Sequence, residues 1–167
     1  EARANQPRDE LPVTELPADR AIAIVFSQSM DPESLTTETF IVEAVPAETA
    51  TTIAPGEGTQ VEGELIKDAQ SVRFVPSEPW EPGQLYRYTL VSEQGGTEVT
   101  DATIADGQAG ICPVDGSRPG FICGENGLAL QTDLLLSTAD IGGDDLTIYF
   151  LGAEPRSSVL NPLRNLP

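Results

Sequence analysis

Val72-Arg73-Phe74-Val75-Pro76, followed after three residues by Trp80-Glu81-Pro82-Gly83-Gln84-Leu85-Tyr86, is the stretch that decides the fold. From Ser71 to Val75 the chain places Val72 and Phe74 on one side, the two-residue period of a β-strand, and Pro76 closes it. Pro82-Gly83 then turns the chain. A second extended run, Leu85 to Ser92, sets Tyr86, Tyr88 and Leu90 on one face. A tyrosine just past such a turn can pack its ring inward and bond a backbone group a few residues upstream through its hydroxyl. The alternative is an ordinary core tyrosine.

Outward from this pair the same grammar repeats. Leu11-Pro12-Val13-Thr14 reads as a short edge strand, where proline is tolerated. Ala21 to Phe26 is apolar on both faces, as a central strand can be. Phe40 to Val45 is a further strand, ended by Pro46, and residues 47–60 read as a loop. Val61-Glu62-Gly63-Glu64-Leu65 alternates apolar and acidic residues like a half-exposed strand, with a hairpin turn at Lys67-Asp68-Ala69-Gln70. Leu128 to Leu136 and Leu146 to Leu151 complete the set. Asp31-Pro32-Glu33-Ser34-Leu35 predicts one helical turn, with Asp31 capping its free amides. The 15 glycines and 14 prolines recur along the whole chain. About eight short strands and no long helix predict an all-β chain folded as an antiparallel β-sandwich. Its expected core is Ile22, Ile24, Phe26, Phe40, Val72, Phe74, Tyr86, Tyr88 and Leu90. A flexible segment is expected at 1–10, the sandwich at 11–151 with a Cys-bearing insertion at about 101–127, and a linker toward a following module at 152–167.

Three local patterns carry a resemblance. Ile24-Val25-Phe26-Ser27-Gln28-Ser29-Met30-Asp31-Pro32-Glu33-Ser34-Leu35 resembles the strand, Phe-Ser-x-x-Met-Asp-Pro and short turn that open bacterial Ig-like domains of the S-layer-protein type. The stretch Val72–Pro76 with Trp80–Tyr86 is similar to that family's Thr-Phe-x-Pro … Leu-x-Pro-Gly-x-x-Tyr, with Trp80 in the usual Leu place. Glu125-Asn126-Gly127-Leu128-Ala129-Leu130 is similar to its closing Gly-Asn-x-Leu turn and strand, with the Gly and Asn separated here. The patterns span roughly residues 11–136. The resemblance implies an immunoglobulin-like sandwich in which Tyr86 forms a tyrosine corner. It also implies a non-catalytic structural or adhesive module, one that spaces or presents neighbouring domains of an extracellular, cell-surface or periplasmic bacterial protein. The Cys-bearing insertion is a departure from the family pattern.

Composition narrows function from the other side. The 27 acids against 9 bases give a formal net charge of −18. Such a surface repels phosphate backbones and anionic lipids, so nucleic acid and direct membrane insertion are not expected. There is no run of 18 apolar residues. The chain has no His, which removes Ser-His-Asp and Cys-His machinery. No phosphate loop or dinucleotide fingerprint is present, and the one Lys, Lys67, sits in a hairpin turn. No enzyme activity and no cofactor are expected. Cys112 and Cys123, an even count in a Gly/Pro-rich stretch, suggest a disulfide and an oxidising compartment, with reduced thiols as the alternative.

The remaining chemistry is calcium binding. Asp140, Asp144 and Asp145 bracket Gly142-Gly143 and could offer oxygens on irregular backbone; a plain acidic turn is the competing reading. Partners are expected among neighbouring domains of the same polypeptide, and surface glycans or proteins enter through two alternative functions. One is a carbohydrate- or surface-polymer-binding module, for which Trp80, Tyr149 or Phe121 would supply stacking faces. The other is a fibre subunit assembling by strand exchange.

Overall fold

A computed structural model of the chain describes residues 14–92, 112, 120–132 and 145–153. Among these residues eight strands run in order: β1 Thr14–Leu16, β2 Ile22–Val25, β3 Phe40–Ala44, β4 Thr59–Gln60, β5 Gly63–Lys67, β6 Ser71–Pro76, β7 Leu85–Leu90 and β8 Leu146–Gly152. They form a five-stranded sheet, β1-β8-β7-β3-β4, and a three-stranded sheet, β2-β6-β5. All pairings are antiparallel except β1 with β8, which is parallel. This is the Ig-like β-sandwich, with β3 and β7 central in one sheet and β6 central in the other.

The period-two pattern sets which residues meet between the sheets. Ile22, Val72 and Phe74 project from the smaller sheet, and Phe40, Val42, Tyr86, Leu90 and Phe150 from the larger. Seven of the nine expected core residues are buried, while Ile24 and Tyr88 are partly buried against them. The centre is aromatic. Trp80 lies edge-on to Tyr86 at 4.9 Å and to Phe150 at 5.0 Å, and Tyr86 stacks on Phe150 at 5.4 Å. Rings of this size bury large areas and lock their neighbours through offset geometry.

The structure departs from the sequence reading in four places. The turn at 31–35 is not helical. It closes through Ser34 N donating to the Asp31 carbonyl at 3.1 Å and Glu33 N donating to Asp31 Oδ1 at 3.0 Å, and the chain then turns away. The alternation in Val61–Leu65 is not one strand. Val61 N still bonds the Val42 carbonyl in the large sheet, whereas Gly63 already pairs with Pro76 in the small one. The chain changes sheets between them, and Gly63 permits it, because a Cβ there would run into the Phe74 ring, with Cε1 at 2.8 Å. The expected loop at 47–60 ends in β4, which exists only through its pairing with Glu43 and Ala44. In the stretch read as a strand from Leu128, Ala129 makes one bridge, to Cys123; residues 133–136 lie outside the described residues. So do residues 1–13, most of 101–127 and 154–167.

Candidate functional site

The described residues between β7 and β8 converge on one end of the sandwich, where β2 and β7 finish and β3 and β8 start. Val91 continues from β7, and its carbonyl accepts from Ile122 N at 2.9 Å. Ile122 is fully buried and joins the core. Residues 123–129 then form a tight hairpin. Cys123 bridges Ala129, and Gly127 takes φ +78°, a left-handed conformation that glycine adopts without steric cost. The hairpin is stitched to the β2–β3 connection, with Asp31 N donating to the Cys123 carbonyl and Cys123 N to Ser34 Oγ, both at 2.9 Å. Met30 bridges Gly124. Cys112 and Cys123 are joined in a disulfide, and Cys112 N donates to the Gly127 carbonyl at 2.8 Å. The disulfide thus ties the insertion to a hairpin already fixed to the core.

Asp31 therefore does two things. Its side chain and carbonyl hold its own turn, and its amide holds the insertion. Asp145 lies at the same end, where its Oδ1 accepts from Ser92 N at 2.9 Å. Asp140, Asp144, Gly142 and Gly143 lie outside the described residues. Among the described residues no three or more Asp, Glu, His or Cys side chains come together as a metal cluster.

The opposite end holds the tyrosine corner. Tyr86 Oη accepts from Glu81 N at 2.9 Å, five residues upstream. Trp80 fixes the same corner by donating Nε1 to the Arg20 carbonyl at 2.7 Å, and its ring is buried. Gly152 ends β8 against this corner, where a Cβ would collide with the Glu81 carbonyl group, with its carbon at 2.7 Å. Stacking of a sugar on Trp80 is excluded by that burial, and Tyr149 is engaged through its hydroxyl with the Ala50 carbonyl at 3.0 Å.

Sequence reasoning missed the buried ion pair on the outer face of the large sheet. Glu43 of β3 and Arg87 of β7 are register partners, with Arg87 Nε to Glu43 Oε2 at 2.9 Å and both side chains almost fully buried. The β3–β4 connection folds over them. Arg87 Nη1 donates to the Ala50 and Ile53 carbonyls, and Nη2 to the Ala54 carbonyl. Glu43 Oε1 accepts from Gly58 N at 2.8 Å. Burial works against the guanidinium charge, but the bonds to Glu43 and Tyr149 more than offset it, so Arg87 is held above its ordinary pKa. A signal existed, since each residue is a lone charge in an apolar run, Phe40-Ile41-Val42-Glu43 and Leu85-Tyr86-Arg87-Tyr88.

Comparison with known proteins agrees with this architecture. The bacterial Ig-like domain family matches residues 6–111. The chain is also similar to Alkane uptake protein B of Marinobacter nauticus, 41% identical over 174 residues that cover 99% of this chain. It spans only 15% of the length of that relative. With two sheets in Ig-like order, a corner built on Tyr86 and a match over more than half its residues, the chain belongs to the bacterial Ig-like domain family.

Proposed function

We propose that the chain is a rigid module of a longer bacterial envelope protein, which spaces and orients its neighbours outside the cytoplasm, in a protein that handles hydrocarbons. The observation that carries the spacer role is the parallel pairing of β1 with β8, Thr14 beside Phe150 and Leu16 beside Gly152. The first and last strands run the same way along the sandwich, so a preceding module leads in toward one end and a following module leads out at the other. A rigid unit wired in this sense propagates direction from module to module. The disulfide supports an oxidising compartment, in which such bonds persist. The name of the relative, Alkane uptake protein B, supports the hydrocarbon context.

Small-angle scattering of two copies joined through their native flanks tests the spacer role. The expected maximum dimension is close to twice that of one copy. A value near that of a single copy would mean that the modules fold back on one another, and the reading would fail.

A further inference from the structure

We infer that the cleft between β2, the 124–132 hairpin and the start of β8 is a binding site for a linear alkyl chain. Its volume is about 370 Å³, within the roughly 300–1,000 Å³ of small-molecule sites. The buried side chains of Phe26, Met30 and Leu90 form its floor, and Val25, Leu128 and Leu146 form its rim. The rim residues are 80%, 38% and 39% exposed, and they are three of the four exposed large apolar side chains among the described residues. The fourth, Ile148, lies two residues beyond Leu146, on the same face of β8. Scattered apolar residues need no explanation, but their collection at one concave place does.

The chemistry of the walls selects the ligand. In a chain with 27 acids, no charged residue is among the described residues of this cleft. Its polar side chains are neutral, and two of them are engaged with each other, with Asn126 Nδ2 donating to Gln28 Oε1 at 2.7 Å. Among these residues a charged ligand would find no counter-charge, and desolvating it would be costly. A sugar would find no open aromatic face, because Phe26 is buried. A flexible uncharged chain of methylenes meets every one of these conditions. Among the described residues, β1 pairs with β8 from Phe150 to Gly152 and does not reach Leu146 at the rim.

The choice of alkyl ligand deepens the hydrocarbon reading above, and its test is separate from the scattering test of the spacer. The probes are primary alcohols from hexanol to dodecanol, titrated below their solubility limits into the 167-residue chain. Binding is followed by calorimetry and by NMR shifts. Affinity is expected to rise about three- to fourfold per added methylene and to level off once the chain outgrows the cleft. Shifts should centre on Val25, Met30 and Leu128. Val25→Asp, at a position too exposed to matter for folding, should weaken binding by about tenfold or more with an unchanged thermal midpoint. Val25→Asp combined with Leu128→Asp should abolish it. Affinity that does not depend on chain length, shifts centred elsewhere, or a Val25→Asp chain that binds as well as the original would each overturn the proposal. So would binding of an extended apolar peptide when no alcohol binds, because the site would then be one for strand addition to β2. Loss of alkyl binding leaves the spacer geometry standing, and a folded-back tandem leaves alkyl binding standing.

Discussion

Replacing Arg87 with Met keeps much of the side-chain volume and removes the guanidinium. Four hydrogen bonds go with it: Nε to Glu43 at 2.9 Å, Nη1 to Ala50 and Ile53 at 3.1 and 2.9 Å, and Nη2 to Ala54 at 2.6 Å. What remains is a buried carboxylate with one protein donor, Gly58 N, and an Ile53 carbonyl stripped of its Arg87 donor, while the Ala50 and Ala54 carbonyls keep the Tyr149 hydroxyl and Glu57 N. Breaking a buried pair from one side costs about 3–5 kcal/mol, because the remaining charge is uncompensated. The Ile53 carbonyl would add about 1–3 kcal/mol if it stayed dry. It need not stay dry, since the β3–β4 connection can lift and admit water, so a loss of about 3–5 kcal/mol in all is expected. The assay is urea unfolding of the single variants Arg87→Met and Glu43→Leu and of the double variant. The double variant should lose less than the sum of the singles by about 1–3 kcal/mol, because it removes the orphaned charge as well as the bond. Additive losses, or a loss below about 1 kcal/mol for Arg87→Met, would show that the pair behaves as a solvated surface bridge. The account of the outer face would then be wrong.

Three further outcomes follow from the same geometry. Tyr86→Phe should lower stability by about 1–2 kcal/mol, because Glu81 N loses its acceptor at a part-buried corner; an unchanged urea midpoint would reduce Tyr86 to packing. Cys112→Ala with Cys123→Ala opens a ring with a sequence separation of 11 and should cost about 3 kcal/mol in the chain-entropy account. The preceding check is thiol titration of the denatured, unreduced chain, where two reactive thiols would refute the bond. Burial pushes the Tyr88 phenol above its ordinary pKa, so the folded state holds that proton more tightly than the unfolded one. Its contribution to stability is complete below the unfolded value and is lost as pH rises through the folded one, so Tyr88→Phe should flatten the fall in stability between about pH 9 and about pH 12. Equal slopes in the two proteins would show that Tyr88 does not titrate differently on folding.

The strands legible in the sequence are those whose side chains report their own burial. In β6 and β7, Val72, Phe74, Tyr86 and Leu90 fall on the inner face at every second position, and the Pro82-Gly83 turn between them fixes where the corner must be. β4 was illegible because two polar residues, Thr59 and Gln60, carry no periodicity; their strand character is conferred by β3. Of the edge strand expected at 11–14 only Thr14 is among the described residues, where it begins β1, and the run on to Leu16 was illegible for a related reason. Thr14-Glu15-Leu16 is set by parallel pairing to β8, which lies more than a hundred residues away, and no local pattern encodes that partner.

The insertion shows where a family pattern stops being enough. The match to the bacterial Ig-like family ends at residue 111, yet the large sheet is incomplete without β8, which begins at Leu146 and is the strand that joins β1 to β7. The residues between are therefore not an appendage hung on a finished sandwich. Ile122 fills the core, and Cys123 is bonded into the β2–β3 connection through its amide and its carbonyl. Ser92 N donates to Asp145 Oδ1, which joins the first residues after β7 to the last residue before β8. Each contact is between residues distant in sequence, so closing them costs loop entropy that only a cooperative set of bonds can offset. The disulfide reduces that cost by shortening the free loop before folding begins. The same construction leaves the cleft at that end lined with apolar side chains: the hairpin that seals the core with Ile122 presents Leu128 outward beside Val25. Sealing the fold and shaping the proposed alkyl site are consequences of one hairpin.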